Sequence, residues 1–257
     1  MPAYRLDLAY DGTGFHGYAR QPNVRTVQRE LEEALIHHAG MVETIVAGRT
    51  DRGVHASAQV VSFVTRRDLD VDSVVRSLNS LLGEEIAVTA LRLVEDDFHA
   101  RFSAESRAYR YEIDNRVVQD PLRARYSWHV RAPLDLEAMN EGTAVLVGGH
   151  DFAAFCRKAE GLGTVREVLW AGWHVTGDTV EFSIAAESFC HQMVRSLVAV
   201  LVMVGRSRMP ASEIKAILAA GDRNRARGAA PSQGLTLVGV GYPGEPLEPP
   251  AWLTATP

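Results

Sequence analysis

A single carboxylate, Asp51, stands between two arginines in the run Gly48-Arg49-Thr50-Asp51-Arg52-Gly53-Val54-His55-Ala56. Arg49 and Arg52 favour its ionised form, and Gly48 and Gly53 allow backbone turns or close ligand approach that a Cβ forbids. Such a group is prepared to act as a nucleophile or base facing an anionic substrate. An aspartate that only shapes a tight turn is the alternative the local sequence leaves open. The run lies between the β-branched stretches Thr44-Ile45-Val46 and Val60-Val61-Ser62-Phe63-Val64, so it reads as a loop joining two strands.

Three further features could serve the same chemistry. Tyr109 and Tyr111 alternate along one expected strand and share a face, either as core aromatics or as a platform for a flat ligand. Arg195 lies in the expected helix Phe189 to Leu197, whose continuation is nearly all apolar. A charge there is costly unless it meets a carboxylate or phosphate, and Asp51 could be that partner if two halves of the chain face each other. Leu235, at the start of the last expected strand, is either core or the apolar floor of a pocket.

Other chemistries lack their residues. None of the nine histidines has HExxH spacing, so a metal site is not indicated. His150-Asp151-Phe152 is the most site-like group, and it reads as structural. Ser183 and Ser188 sit in no GxSxG elbow. The Gly-rich run Asp11-Gly12-Thr13-Gly14-Phe15-His16-Gly17 lacks the ending of a phosphate-binding P-loop. Cys156 and Cys190, the only cysteines, have no paired spacing and read as reduced, buried thiols.

The 257 residues, 46% hydrophobic and 23% charged, suffice for one large domain or two small ones. The N-terminus lacks a signal-peptide pattern, and the longest apolar run, Leu197 to Val204, is too short to span a bilayer, so a cytoplasmic protein is expected. A net charge of −5 argues mildly against nucleic acid. Distribution argues the other way: all but two of the 27 basic residues are arginines, the exceptions being Lys158 and Lys215. The arginines cluster at Arg20, Arg25 and Arg29, at Arg49 and Arg52, at Arg101, Arg107 and Arg110, at Arg123 and Arg125, at Arg206 and Arg208, and at Arg223, Arg225 and Arg227. Arginine suits bidentate phosphate contacts and stacking on bases, although each cluster alone also fits a solvated face.

The elements that must position these residues follow from periodicity. Tyr4, Leu6, Leu8 and Tyr10 alternate as a strand, and a helix runs from Thr26 to Gly40. Strands at 44–47 and 59–65 flank the Asp51 loop. A second helix capped by Asp72 and ended by Gly83 carries Val74, Val75, Leu78, Leu81 and Leu82 on one face, and a strand covers 86–93. This β-α-β-β-α-β order is the ferredoxin-like unit. The remainder repeats it: strand 107–113, helix 135–147, a hairpin of 165–174 and 179–184, helix 188–204 and strand 234–240, with a short helix near 212–220. An α+β protein is therefore expected, of two ferredoxin-like halves with antiparallel sheets and a cleft between them. The halves span 1–103 and 104–243, followed by a loosely packed Pro-rich tail, 244–257.

With those residues in view, the sequence resembles the tRNA pseudouridine synthase A family from about Tyr4 to Tyr242. The matching blocks are Tyr10 to Gly17, Gly48 to Ala56, Phe98 to Ala104, Arg107 to Tyr111, His150 to Phe152, Met193 to Arg195, and Gly234 to Leu237. The resemblance implies two ferredoxin-like halves, a homodimer, no metal or organic cofactor, and conversion of uridines 38, 39 and 40 in the tRNA anticodon arm to pseudouridine. It puts Asp51 on the catalytic nucleophile and Tyr109 on the tyrosine that stacks on the target base. Arg195 falls on the arginine that pairs with the catalytic aspartate, and Leu235 on the apolar residue under the base. Arg49, Arg52 and His55 are carried as further substrate contacts. Tyr18 and Ala19 depart from the family's frequent Trp and Gln, which touches details of RNA contact, and Cys190 replaces a frequent Leu. Two rivals remain. A non-catalytic RNA-binding module on a ferredoxin-like fold needs an RNP1-like aromatic pattern, which is absent. A glycosidase-like hydrolase needs a second carboxylate beside Asp51, for which Glu30, Asp97 and Glu105 are available.

Overall fold

The computed structural model describes residues 1–157, 163–226 and 228–254, which form two compact units. One unit contains Met1–Glu105 and Thr236–Pro246, the other Ser106–Leu235 and Leu247–Pro257.

In the first unit, strand β1 (Ala3–Tyr10) buries Tyr4, Leu6, Leu8 and Tyr10 on one face, as its alternation predicts. Helix α1 (Val27–Ala39) buries Val27, Leu31, Ala34 and Leu35 and ends at Gly40. The two-residue strand β2 (Ile45–Val46) pairs with Ser62 and Val61 of β3 (His55–Val64). β3 starts four residues earlier than expected, so the Asp51 loop is correspondingly short. Helix α2 (Val71–Leu81) is capped by Asp70, whose carboxylate accepts from Ser73 N at 3.2 Å. Asp72, the expected cap, lies inside the first turn, because Asp70 already holds the extended cap conformation. Leu81 faces outward at the helix end rather than joining the buried stripe. β4 (Ile86–Val94) lies on one side of β1 and β3 on the other, both antiparallel.

In the second unit, β5 (Ser106–Asp114) carries β6 (Trp128–His129) beside its end in parallel. Helix α3 (Leu136–Ala144) is capped by Asp135, as expected. The short β7 (Gly148–Asp151) leads to the hairpin β8 (Val165–Thr176) and β9 (Thr179–Ala186), giving the antiparallel order β5-β9-β8-β7. Helix α4 (Met193–Gly205) runs through the core and buries ten of its thirteen residues. It starts five residues later than the apolar pattern predicts, because Gln192 sits in the left-handed region at φ 65° and interrupts the helical path. Helix α5 (Glu213–Ala220) follows. The expected loose tail instead forms a turn, α6 (Ala251–Thr254), whose Trp252 stacks on His174 with ring centroids 5.1 Å apart. The last three residues of that expected tail lie outside the described residues.

Cys156 and Cys190, expected as reduced, buried thiols, lie next to one another with Cα atoms 5.6 Å apart. Their 34-residue separation carries no local signal, and the tertiary fold alone brings them together.

The last strand, β10 (Leu235–Gly241), is expected from the sequence as the closing strand of the second half. Its Thr236 and Leu237 pair in parallel with His55 and Ala56 of β3, and residues from Thr236 onward cluster with the first unit. Parallel pairing across so long a separation leaves no local pattern in the sequence.

Candidate active site

Asp51 sits half-buried in the short loop that leads into β3, between the exposed side chains of Arg49 and Arg52. Among the described residues neither arginine has a carboxylate within ion-pair distance, so both charges are available to an anionic ligand. Val54 N donates to Asp51 O at 3.1 Å, closing the turn around Gly53.

The rest of the loop is held by buried polar groups that the motif itself does not reveal. Gln59, fully buried on β3, donates through Nε2 to Gly48 O at 2.8 Å and to the Tyr10 hydroxyl at 3.2 Å. Tyr10 Oη in turn lies 2.8 Å from Thr50 Oγ1. Tyr10 Oη thus accepts from Gln59 and shares a hydrogen bond with Thr50 Oγ1 in which either hydroxyl can donate. Burial pushes the Tyr10 pKa up to about 12, with its hydrogen bonds to Thr50 and Gln59 acting in the opposite direction. Tyr10 therefore stays neutral throughout the physiological range. A polar residue on the buried face of a β-branched strand is the one sequence signal that could have singled out Gln59.

The Gly-rich run between β1 and α1 is a brace for this loop. Thr50 O accepts from Tyr18 N at 3.1 Å, and His55 Nδ1 accepts from Gly12 N at 3.0 Å. A Cβ at Gly12 would collide with the Val54 carbonyl, and one at Gly17, whose φ is 93°, would fall 2.9 Å from Thr50 O. Glycine is required at both places because backbone meets backbone there. His55, carried from the resemblance as a substrate contact, is 4% exposed, and its Nδ1 also lies 3.1 Å from the Asp11 carboxylate. Its visible role is to join the two loops. Tyr18, one of the two departures from the family pattern, is fully buried, with its ring 6.3 Å from that of Tyr10, so that change falls in the core.

Most of the other arginine clusters are spent on carboxylates or backbone. Arg20 pairs with Glu32 at 3.2 Å, Arg25 with Glu30 at 3.0 Å and with Glu85, and Arg29 with Glu33 at 2.8 Å. Arg110 and Arg123 reach Glu112 at 3.1 and 3.4 Å, Arg225 reaches Glu213, and Arg107 is buried on Glu187 O at 2.9 Å. Arg227 lies outside the described residues. Glu30, one of the carboxylates open to a glycosidase-like reading, is thereby committed to Arg25. The His150-Asp151 pair shapes a turn: Asp151 Oδ1 accepts from Ala153 N at 3.0 Å and from Thr164 Oγ1 at 2.5 Å.

Tyr109, Arg195 and Leu235 belong to the second unit. Tyr109 is 8% exposed on β5 and meets Phe189 edge-on, with centroids 5.1 Å apart. Arg195 is half-buried in the first turn of α4, where its Nε donates to Ala230 O at 2.7 Å and its carbonyl accepts from Ala230 N at 2.9 Å. This two-way clasp fixes the start of α4 to the segment that leads to Leu235. Tyr111 completes the arrangement. Its hydroxyl donates to Pro231 O at 2.8 Å, and burial raises its pKa while the Arg195 charge draws it down. Leu235 is 6% exposed directly after the 3-10 turn Ser232–Gly234. Asp51, Arg49, Arg52 and His55 are thus one set within the first unit, and Tyr109, Arg195 and Leu235 a second set within the other.

Comparison with known proteins adds an independent finding. The family described as tRNA pseudouridine synthase matches this chain over residues 8–103 and 143–243. The chain is similar to the tRNA pseudouridine synthase A of Syntrophotalea carbinolica, 44% identical over 246 residues that cover 94% of this chain and 97% of the relative. It is similar to that of Moorella thermoacetica at 42% identity over 246 residues, covering 94% and 100%, and to that of Myxococcus xanthus at 40% over 260 residues, covering 99% and 97%.

Proposed function

We propose that this chain, which belongs to the tRNA pseudouridine synthase family and is an isomerase that makes pseudouridine in tRNA, uses Asp51 as its nucleophile on uridines 38, 39 and 40 of the anticodon stem-loop. The observation that carries this reading is the Asp51 loop itself: a carboxylate in a loop whose backbone at Gly48 and side chain at Thr50 are held by buried polar groups, with Arg49 and Arg52 exposed on either side.

The reaction breaks the bond from ribose C1′ to the uracil nitrogen, turns the base, and joins C1′ to a uracil carbon instead. Atoms and electrons balance within the nucleotide, so neither hydride nor an energy source is needed. Asp51 supplies the negative charge, by attack at C1′ or on the base, or by taking a proton at C2′. A uridine stacked in the anticodon arm must leave its stack to be reached, and an aromatic platform with an apolar floor offsets that cost. Tyr109 and Leu235 are assigned these roles, and Arg195 is assigned to holding the catalytic carboxylate ionised. Arg49 and Arg52 take phosphates. His55, buried as it is, supports the loop from beneath.

In the same reading the protein is a cytoplasmic homodimer of two ferredoxin-like halves. Supporting the fold is the element order of β1, α1, β2, β3, α2 and β4, with β4-β1-β3 adjacent and β2 on β3. Among the described residues no helix is long and apolar enough to cross a membrane. The test is to incubate the protein with unmodified tRNA and map pseudouridine. Product at the anticodon arm is expected, and product elsewhere only, or none, overturns the reading.

A further inference from the structure

We propose that Gln59 is the positioning residue of the catalytic loop, setting where the Asp51 carboxylate stands before substrate arrives. The inference rests on the reading of Asp51 as the nucleophile.

The Asp51 loop has one firm end and one weak one. At its far end β3 begins at His55, anchored by long antiparallel pairing with β1. At its near end β2 is only two residues long, so the chain enters the loop with little sheet to hold it. Gln59 supplies what β2 cannot. Its amide nitrogen has two protons, and both are used: one on Gly48 O, three residues before Asp51, and one on the Tyr10 hydroxyl. Gly48 O can only accept, which fixes the amide's orientation. The Tyr10 hydroxyl then passes the constraint to Thr50 Oγ1, one residue before Asp51. The other side of the amide is occupied too, since its oxygen accepts from Val60 N at 3.2 Å. A single buried side chain thus controls two points on the weak end of the loop. Fully desolvated, such bonds are rigid and poorly replaced by water.

A brace that only stabilised the fold would leave turnover unchanged below the melting temperature. One that aims the nucleophile acts on kcat, because a displacement of about 1 Å in a reacting group can cost on the order of 100-fold. Gln59→Leu is therefore expected to lower kcat by about 100-fold while KM for tRNA stays within about two-fold. Gln59→Glu gives a signature that no structural role produces. An ionised carboxylate faces the Gly48 carbonyl with no proton to donate, whereas the protonated acid restores one of the two bonds. Its kcat relative to wild type should rise as pH falls, and a flat ratio overturns the proposal. If Gln59→Leu does not fold, Tyr10→Phe decides the matter, since it keeps the ring and the Gln59 bond to Gly48 O while removing the hydroxyl that links Gln59 to Thr50: a several-fold loss in kcat with unchanged KM is expected.

Folded Gln59→Leu or Tyr10→Phe with wild-type kcat, or with a change confined to KM, overturns the proposal and leaves the functional reading standing. Wild-type protein that forms no pseudouridine in tRNA removes both together. Activity retained by Asp51→Asn removes the premise.

Discussion

Two lead-in segments carry the charged residues of this protein, and they are built in opposite ways. The Asp51 loop enters β3 under a network of buried side chains, in which Gln59, Tyr10 and Thr50 hold the backbone from below. The start of α4, which carries Arg195, is tied down chiefly through main-chain groups. It relies on backbone: the exchange of hydrogen bonds between Arg195 and Ala230, the left-handed turn at Gln192, and the edge of Phe189 against Tyr109. The difference follows from the neighbours. A loop beside a two-residue strand must import its order from side chains, whereas a segment that opens an apolar thirteen-residue helix inherits order from the core packing of that helix. The loop is consequently sensitive to single polar deletions, and the helix start to changes in the arginine that clasps it.

The largest contrast is expected at the charges themselves. Asp51→Asn should reduce pseudouridine formation below detection while tRNA binding, measured by filter retention, remains within a few-fold of wild type. On the proposed role of Arg195 as the partner of the catalytic carboxylate, Arg195→Leu should fall next, with a kcat loss on the order of 100-fold. The same change strips Ala230 O of its donor and should lower stability by about 1 to 3 kcal/mol in denaturant titration. If Arg195→Leu lowers stability without touching kcat at saturating tRNA, the helix start is purely structural and the contrast collapses. Tyr109→Phe should cost less than about ten-fold, since the ring and its contact with Phe189 survive; a loss matching that of Asp51→Asn would mean that the hydroxyl moves a proton.

Stability at high pH should change as well. Tyr10 has a folded pKa of about 12, above its ordinary value of 10.0, chiefly through burial. A raised phenol pKa contributes stability that is complete below pH 10 and is lost as pH rises through about 12. Two units correspond to about 3 kcal/mol at most. Tyr18 and Tyr111, also raised by burial, act in the same direction. Unfolding free energy should therefore fall steeply between pH 10 and 12, and Tyr10→Phe should flatten that slope. An unchanged slope would show that Tyr10 opens to water before the fold is lost.

Much of this arrangement was legible in the residues. Alternation exposed β1, and Asp135 marked the start of α3, because both signals are local and match the periods of strand and helix. The Asp51 motif was visible because arginine and glycine around one carboxylate form an uncommon local pattern. The failures share a cause. Asp70 and Asp72 compete as caps two residues apart, and composition alone does not choose between them. The apolar run into α4 continues through Phe189 and Cys190, so periodicity cannot see the left-handed residue at 192. The Gly-rich run resembled a weak phosphate loop, yet its glycines serve contacts with Thr50 and Val54, some forty residues away. Gln59 is one of several polar residues in β3, and its two acceptors come from different parts of the chain.

The parallel pairing of β10 with β3 also determines the order in which the protein can be completed. The first unit draws residues 236–246 from the far end of the chain, so on the ribosome its first 105 residues wait for the intervening segment to be made. At about 5 to 20 residues per second that interval is on the order of ten seconds. Throughout it, the start of β3, immediately after the Asp51 loop, remains an open strand edge able to pair with a neighbouring chain. The surroundings of Asp51 are thus among the last to close, and a chain released before residue 236 keeps the Asp51 motif without β10 beside the start of β3.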